Sequence, residues 1–182
     1  MKNGSFVISL DFELMWGVRD VITKEEYGDS ILGVRKSLPK VLDIFNEYEV
    51  SATFATVGLL FFESKEEFLN MIPVNKPNYK DLNLSPYSDI NIMGKNETED
   101  PYHYGMNLIE LINRCNHEIS THTFSHYYCL EEGQSISEFE DDIKHAINIA
   151  KKRGIAIKSI VFPRNQSNPD YLEICKKHGI LS

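Results

Sequence analysis

The pentapeptide His122-Thr123-Phe124-Ser125-His126 carries two imidazoles four residues apart. On a helical turn, or on a tight turn leaving a strand, that spacing brings both rings to one side, where they can share a metal ion. Imidazole suits zinc, iron, nickel or copper, so the spacing does not choose the metal. It is equally open to a bland reading, two polar residues on a solvated turn. A second group is Asp11-Phe12-Glu13. Carboxylates two apart on a continuing strand face the same side, so one can bind a metal while the other accepts a proton. Together these residues suit metal-assisted hydrolysis: the metal acidifies a bound water and polarises a carbonyl, and a carboxylate takes the proton. Arg164, in Phe162-Pro163-Arg164-Asn165-Gln166, adds a cation.

The elements that must position these groups alternate between strand and helix. Phe6 to Leu10 reads as a buried first strand ending at the acidic Asp11. Leu38, Val41, Leu42 and Phe45 recur at helical spacing, with Ser37 as expected N-cap and Pro39 in the first turn. Ala52 to Val57 is a second strand closed by Gly58. Residues 73 to 105 hold four prolines, many Asn and Asp residues and no sustained period, and read as an irregular insertion over one face. A short helix carries Leu108, Ile109, Leu111 and Ile112, and a strand follows at Glu118 to Thr121. Ser137-Glu138-Phe139-Glu140 reads as a capping box opening a helix whose apolar stripe is Phe139, Ile143, Ala146, Ile147 and Ala150. Ser159 to Phe162 is a further strand, Asn168-Pro169-Asp170 opens a last helix ended by Gly179, and Ile180-Leu181 begins one more strand. Asp11, the histidine pair and Arg164 therefore each follow a strand. In parallel βα architectures catalytic groups gather at that end of the sheet. Taken singly, each could equally be a surface-loop residue or, for Asp11, a helix cap.

The chain has 182 residues, 42% hydrophobic and 25% charged, with a net charge of −8. This composition suits one globular domain over 1–182. The charge and the lack of a clustered basic patch argue against a nucleic-acid partner. Three cysteines without CxxC spacing suit neither a disulfide framework nor a cysteine zinc site, and fit a reducing compartment. No apolar run suits a signal-peptide core or a membrane span, so a cytoplasmic location is expected.

In this order the motifs resemble those of the polysaccharide deacetylases, the NodB-type carbohydrate esterases. Ser9-Leu10-Asp11-Phe12-Glu13 is similar to the family's Thr-Phe-Asp-Asp-like strand end. His122-Thr123-Phe124-Ser125-His126 matches its His-Ser/Thr-x-x-His motif, and Phe162-Pro163-Arg164-Asn165-Gln166 is a looser match to its arginine motif. Ala52 to Gly58 resembles its second strand. The resemblance implies an α/β fold, the N-terminal portion of an incomplete (β/α)7-type barrel with parallel strands. It also implies removal of acetyl groups from N- or O-acetylated sugars with a divalent metal, zinc first and cobalt or nickel next. Asp11 would be the base, His122 and His126 metal ligands, and Arg164 would tune the base through a charge-assisted hydrogen bond. Trp16 and Asn165 are the candidates for substrate contact, although such an aromatic is more often core.

The sequence departs from the family pattern twice. Phe12 stands where the family has its metal-binding aspartate, which leaves Glu13 as the expected third ligand. The family's general-acid histidine has no counterpart before Ser182, since His145 and His178 lie in or at the end of helices. The chain is therefore expected to be part of a larger domain and, alone, poorly active. A metal-independent amide hydrolase of the allantoinase-like branch and an inactive carbohydrate-binding relative are the alternative readings.

Overall fold

Three parallel strands, β1 (Ser9–Phe12), β2 (Thr53–Thr56) and β3 (Glu118–Thr121), hydrogen-bond in the order β1-β2-β3. The computed structural model describes Gly4 and residues 6–182; residues 1–3 and 5 lie outside the described residues. The register pairs Phe12 with Thr56 and Thr56 with Thr121. The three strands thus end level. Glu13 and His122, each the first residue beyond a strand, emerge at the same edge of the sheet.

Side-chain alternation gives the sheet two unlike faces. Leu10, Phe12, Phe54 and Ile119 join the main core, where they meet Ile31, Leu38 and Leu42 of helix α1 (Lys24–Glu47) and Ile109 and Ile112 of helix α3 (Met106–Arg114). Helix α2 (Lys65–Met71), for which no period was read in the sequence, adds Phe68. The opposite face carries Ser9, Asp11, Thr53, Ala55, Glu118 and Ser120. It is polar and ordered: Thr53 and Ser159 both donate to the Glu118 carboxylate at 2.6 Å. A second apolar cluster joins helix α4 (Ile136–Lys152) to helix α5 (Pro169–Lys177), with the Phe139 and Tyr171 rings stacked 4.2 Å apart.

Several boundaries differ from the sequence reading. Strand β1 begins at Ser9 rather than Phe6, and Phe6 and Val7 are exposed. Helix α1 starts fourteen residues before the expected Ser37 cap, at a capping box of Thr23 and Glu26. Ser37 lies inside it and donates to the Val34 carbonyl. Pro39 is interior rather than in the first turn; the length of the helix and its buried stripe outweigh the local break. The cap of α4 is Ser135 with Glu138, two residues before the box expected at Ser137. Ser159 to Phe162 makes one parallel bridge, Thr121 with Ile160, rather than a full strand. Chain order nevertheless continues across the sheet, because Leu181 donates to Lys158 and Ile160 to Ser182. The result is a curved run of parallel segments, the partial barrel expected from the motifs. Residues 73–105 hold only two 3-10 turns, Leu82–Leu84 and Pro86–Asn91. No helix among the described residues is long and apolar enough to cross a membrane.

Candidate metal centre and its supports

Glu13 leaves β1 and enters the 3-10 turn Leu14–Gly17, in which Leu14 takes φ 47°. The turn folds the glutamate back over Gly17. A Cβ at Gly17 would sit 1.9 Å from Glu13 Cδ and 2.2 Å and 2.3 Å from its carboxylate oxygens. The glycine therefore provides space rather than backbone freedom.

The histidines sit on the tight turn leaving β3. His122 extends the ladder through a 2.9 Å bond from its N–H to the Thr56 carbonyl, and then Thr123 (φ 63°) and His126 (φ 56°) reverse the chain. A positive φ at β-branched Thr123 is costly and needs compensation. Asp142 on α4 supplies it. Its carboxylate accepts the Phe124 N–H at 2.6 Å, the Ser125 N–H at 3.1 Å and the Ser125 hydroxyl. Thr123 Oγ1 accepts the Tyr127 N–H at 2.6 Å. Gly58 lets the turn lie against β2, since a Cβ there would be 2.8 Å from Phe124 Cα.

These two turns bring three donors together. His122 Nε2 lies 3.3 Å and His126 Nε2 3.0 Å from Glu13 Oε2. All three ligand atoms fall within 4.8 Å of one another. Both histidines are buried and Glu13 is half-buried. The remaining ring nitrogens fix the tautomers. His122 Nδ1 donates to the Val161 carbonyl at 2.8 Å, and His126 Nδ1 donates to the Tyr128 hydroxyl at 3.1 Å. Tyr128 in turn donates to Asp20 Oδ2 at 3.2 Å. Each Nε2 faces Glu13, donating to its carboxylate while protonated and free to offer a lone pair to a metal once that proton leaves, the arrangement metal-binding histidines require. Two imidazoles and one carboxylate match the three-ligand set of catalytic zinc sites.

Burial pushes the Glu13 carboxyl up, but hydrogen bonds and charge from His122 and His126 outweigh it and hold the group at about 2. Burial also lowers His126 below the ordinary histidine range. At neutral pH the centre thus presents a carboxylate and an imidazole that has shed its competing proton. Asp142 is the opposite case. Burial raises it to about 7 against the pull of its three donors. The native state therefore holds a proton that the unfolded chain releases from about pH 4 upward. Its stabilising contribution is complete below that pH and is lost as pH rises through 7. In chelator, wild type should lose unfolding free energy between pH 5 and 7.5 more steeply than Asp142→Asn, by urea titration; parallel slopes would contradict this.

Glu13, His122 and His126, the expected ligands, converge. Asp11 lies outside their group, on the exposed polar face of β1, without a hydrogen bond or ion pair among the described residues. Arg164 does not pair with Asp11 as the motif implied. Its guanidinium bonds Asp20 and lies 4.2 Å over the Tyr128 ring, so it braces the support of His126. Asn165 is exposed on the same turn, with φ 54° like Arg164. Trp16 is no substrate platform. It is 1% exposed, its indole N–H donates to the His103 carbonyl at 2.9 Å, and its bulk closes the core beneath the Glu13 turn. Asp20, Gly17, Tyr128 and Asp142 carry roles that no sequence spacing announced.

Residues 26–181 match the family model described as polysaccharide deacetylase. A search among curated proteins gave no match. Among solved structures, a putative polysaccharide deacetylase from Mycobacterium smegmatis aligns over 96% of this chain and 48% of its own, at 14% identity and TM-score 0.59. A family 4 carbohydrate esterase from Streptomyces lividans, in complex with acetate, aligns over 98% and 60%, at 13% identity and TM-score 0.53. A CE4 family pseudoenzyme from Bacillus anthracis aligns over 96% and 41%, at 14% identity and TM-score 0.52. The chain thus spans between 41% and 60% of these three structures' own length. At such identities they speak for the fold, the partial barrel already described. The match to the family model, over most of the sequence and the His122–His126 motif though not β1 or Glu13, makes the assignment: the chain belongs to the polysaccharide deacetylase family.

Proposed function

We propose that this chain carries the metal centre of a hydrolase that removes acetyl groups from N- or O-acetylated sugars. The observation that supports it most is the convergence of Glu13, His122 and His126 with both histidine tautomers already fixed. Glu13 answers the departure at Phe12. Its longer side chain, folded over Gly17, reaches the position that the neighbouring residue would otherwise fill. The three residues would hold a divalent cation, zinc first and cobalt or nickel next. Such an ion supplies Lewis acidity toward an acetyl oxygen and lowers the pKa of a water. Asp11, exposed on the polar sheet face, is the proton acceptor in this reading. Arg164 and Tyr128 keep His126 oriented, and Asn165 stands at the rim for substrate contact. The donor set favours this over the metal-free and inactive readings, because three converging donors serve neither.

Metal analysis with acetate release tests it. Protein purified without chelator should carry close to one zinc, cobalt or nickel per chain, lost in His122→Ala. It should release acetate slowly from an N-acetylated chito-oligosaccharide, and Asp11→Asn should stop the release. Metal-free protein that releases no acetate after zinc is added would overturn the proposal.

A further inference from the structure

Arg19 and Asp20 are neighbours in the chain and grip two different things. The Arg19 side chain, 5% exposed, faces the irregular insertion. Its Nε and Nη2 donate to the two oxygens of Asp89 at 2.6 Å and 3.0 Å, a forked charge-assisted pair. Nη1 donates to the Asn83 carbonyl at 2.6 Å, and Nη2 also reaches the Ser88 hydroxyl at 3.0 Å. One cation thus joins both 3-10 turns of the insertion, Leu82–Leu84 and Pro86–Asn91. Those turns are braced by their own side chains. Asp81 accepts the Asn83 N–H at 3.0 Å, and the Ser88 hydroxyl donates to the Ser85 carbonyl at 2.8 Å. The insertion also returns the contact, since Asn83 Nδ2 donates to the Asp20 carbonyl at 3.0 Å.

Asp20 serves the other side. Its side chain is 1% exposed, and its Oδ2 accepts both the Arg164 guanidinium and the Tyr128 hydroxyl. Tyr128 in turn accepts from His126 Nδ1. Asp20 Oδ1 is buried without a partner. A carboxylate gripped through one oxygen can turn about that grip, so its backbone must be held for the chain of bonds to stay in line. An unpaired buried oxygen is unfavourable in itself. Asp20 is therefore kept in place by its surroundings, and the insertion supplies them through Asn83 and Arg19.

We propose that residues 81–89 of the insertion are a working part of the metal centre, with Arg19 as a positioning residue that sets metal affinity. The insertion fixes Arg19 and the Asp20 backbone, Asp20 fixes Tyr128, and Tyr128 fixes the His126 ring. Outer partners of metal-binding histidines commonly govern affinity in this way, and here the series runs on to a segment with no ligand of its own. The proposal rests on Glu13, His122 and His126 being a metal centre; the series of bonds does not.

The test is zinc affinity of the whole chain, by chelator competition, in a cycle of Arg19→Gln and Tyr128→Phe. Each single variant should bind zinc about tenfold more weakly, the lower end for outer partners of a ligand. The double variant should fall no more than about twofold below either, because both cut one series. Arg19→Lys keeps the charge without the fork and should lie between wild type and Arg19→Gln. Asn83→Ala, at an exposed position, removes a single bond to Asp20 and should weaken zinc binding with urea unfolding in EDTA unchanged. The metal-free protein gives a second measure. In EDTA the His126 Nδ1 proton should give a slowly exchanging NMR signal in wild type that is lost in Arg19→Gln. If Arg19→Gln weakens zinc as much in the Tyr128→Phe protein as in wild type, Arg19 merely stabilises the fold and the proposal is overturned. A Nδ1 signal missing from wild type, or unchanged in Arg19→Gln, overturns it as well. Wild type that binds no zinc would sink the metal-centre reading, while the Nδ1 signals still decide this one.

Discussion

Gly17→Ala is expected to cost the protein its metal while leaving its fold. The methyl group would occupy the space of the Glu13 carboxyl, since the position of a Cβ there lies within 2.3 Å of three of its atoms. Real side-chain contacts never approach so closely, so Glu13 must swing away. Two imidazoles alone bind zinc weakly, and displacing the carboxylate should lower affinity by at least about 100-fold. A competition titration against a chromophoric chelator reads this directly. The EDTA-treated variant should melt within a few degrees of EDTA-treated wild type, because Gly17 ends a short 3-10 turn and lies outside every α-helix and strand. Zinc affinity unchanged in Gly17→Ala would show that Glu13 is not a ligand.

The second large effect belongs to Asp142. It touches no substrate and ligates no metal, yet its carboxylate holds the turn on which both histidines sit. In Asp142→Ala, two buried backbone N–H groups and the Ser125 hydroxyl lose their acceptor. The left-handed Thr123 and His126 then have less to hold them. The loss should be about 3 kcal/mol, from unsatisfied buried donors at about 1–3 kcal/mol each with partial relaxation. Zinc affinity should fall in parallel, as the two imidazoles no longer share one fixed geometry. Asp142→Asn retains one acceptor oxygen and should fall between wild type and alanine. Denaturant unfolding and zinc titration of the three proteins give both orders; an alanine variant as stable as wild type would remove Asp142 from this role.

Backbone strain collects around this chemistry. Leu14, Thr123, His126, Arg164 and Asn165 all take φ values between 47° and 63°, and all lie on the turns that follow strand ends. Such conformations persist only where surrounding bonds over-determine them. Asp142, the Tyr128–Asp20–Arg164 chain and the Val161 carbonyl are those bonds.

The amino-acid sequence by itself determined the parallel α/β plan and the three donors of the candidate metal centre. Alternating apolar runs and helical periods are local signals, and the order Asp11/Glu13, His122/His126, Arg164 is a property of the string. It misplaced element starts where two signals competed. Ser37 and Ser137 resembled helix caps, but Thr23–Glu26 and Ser135–Glu138 form the actual boxes: the buried face of α1 extends back to Gly28 and Ile31, and in α4 the Glu138 carboxylate accepts the Ser135 N–H. Trp16 carried no local sign of whether it faced core or cleft; burial against His103 decided it. Only the tertiary structure set Arg164 on Asp20 rather than Asp11, since the two residues are 144 positions apart and meet through packing alone. The same holds for Gly17. Its role is an empty volume under another residue's side chain, and no spacing rule encodes an absence of atoms. The donor types at the candidate metal centre were therefore written in the sequence. Their convergence came from the level ends of three strands, and their precision from a carboxylate on a distant helix and a glycine's missing methyl group.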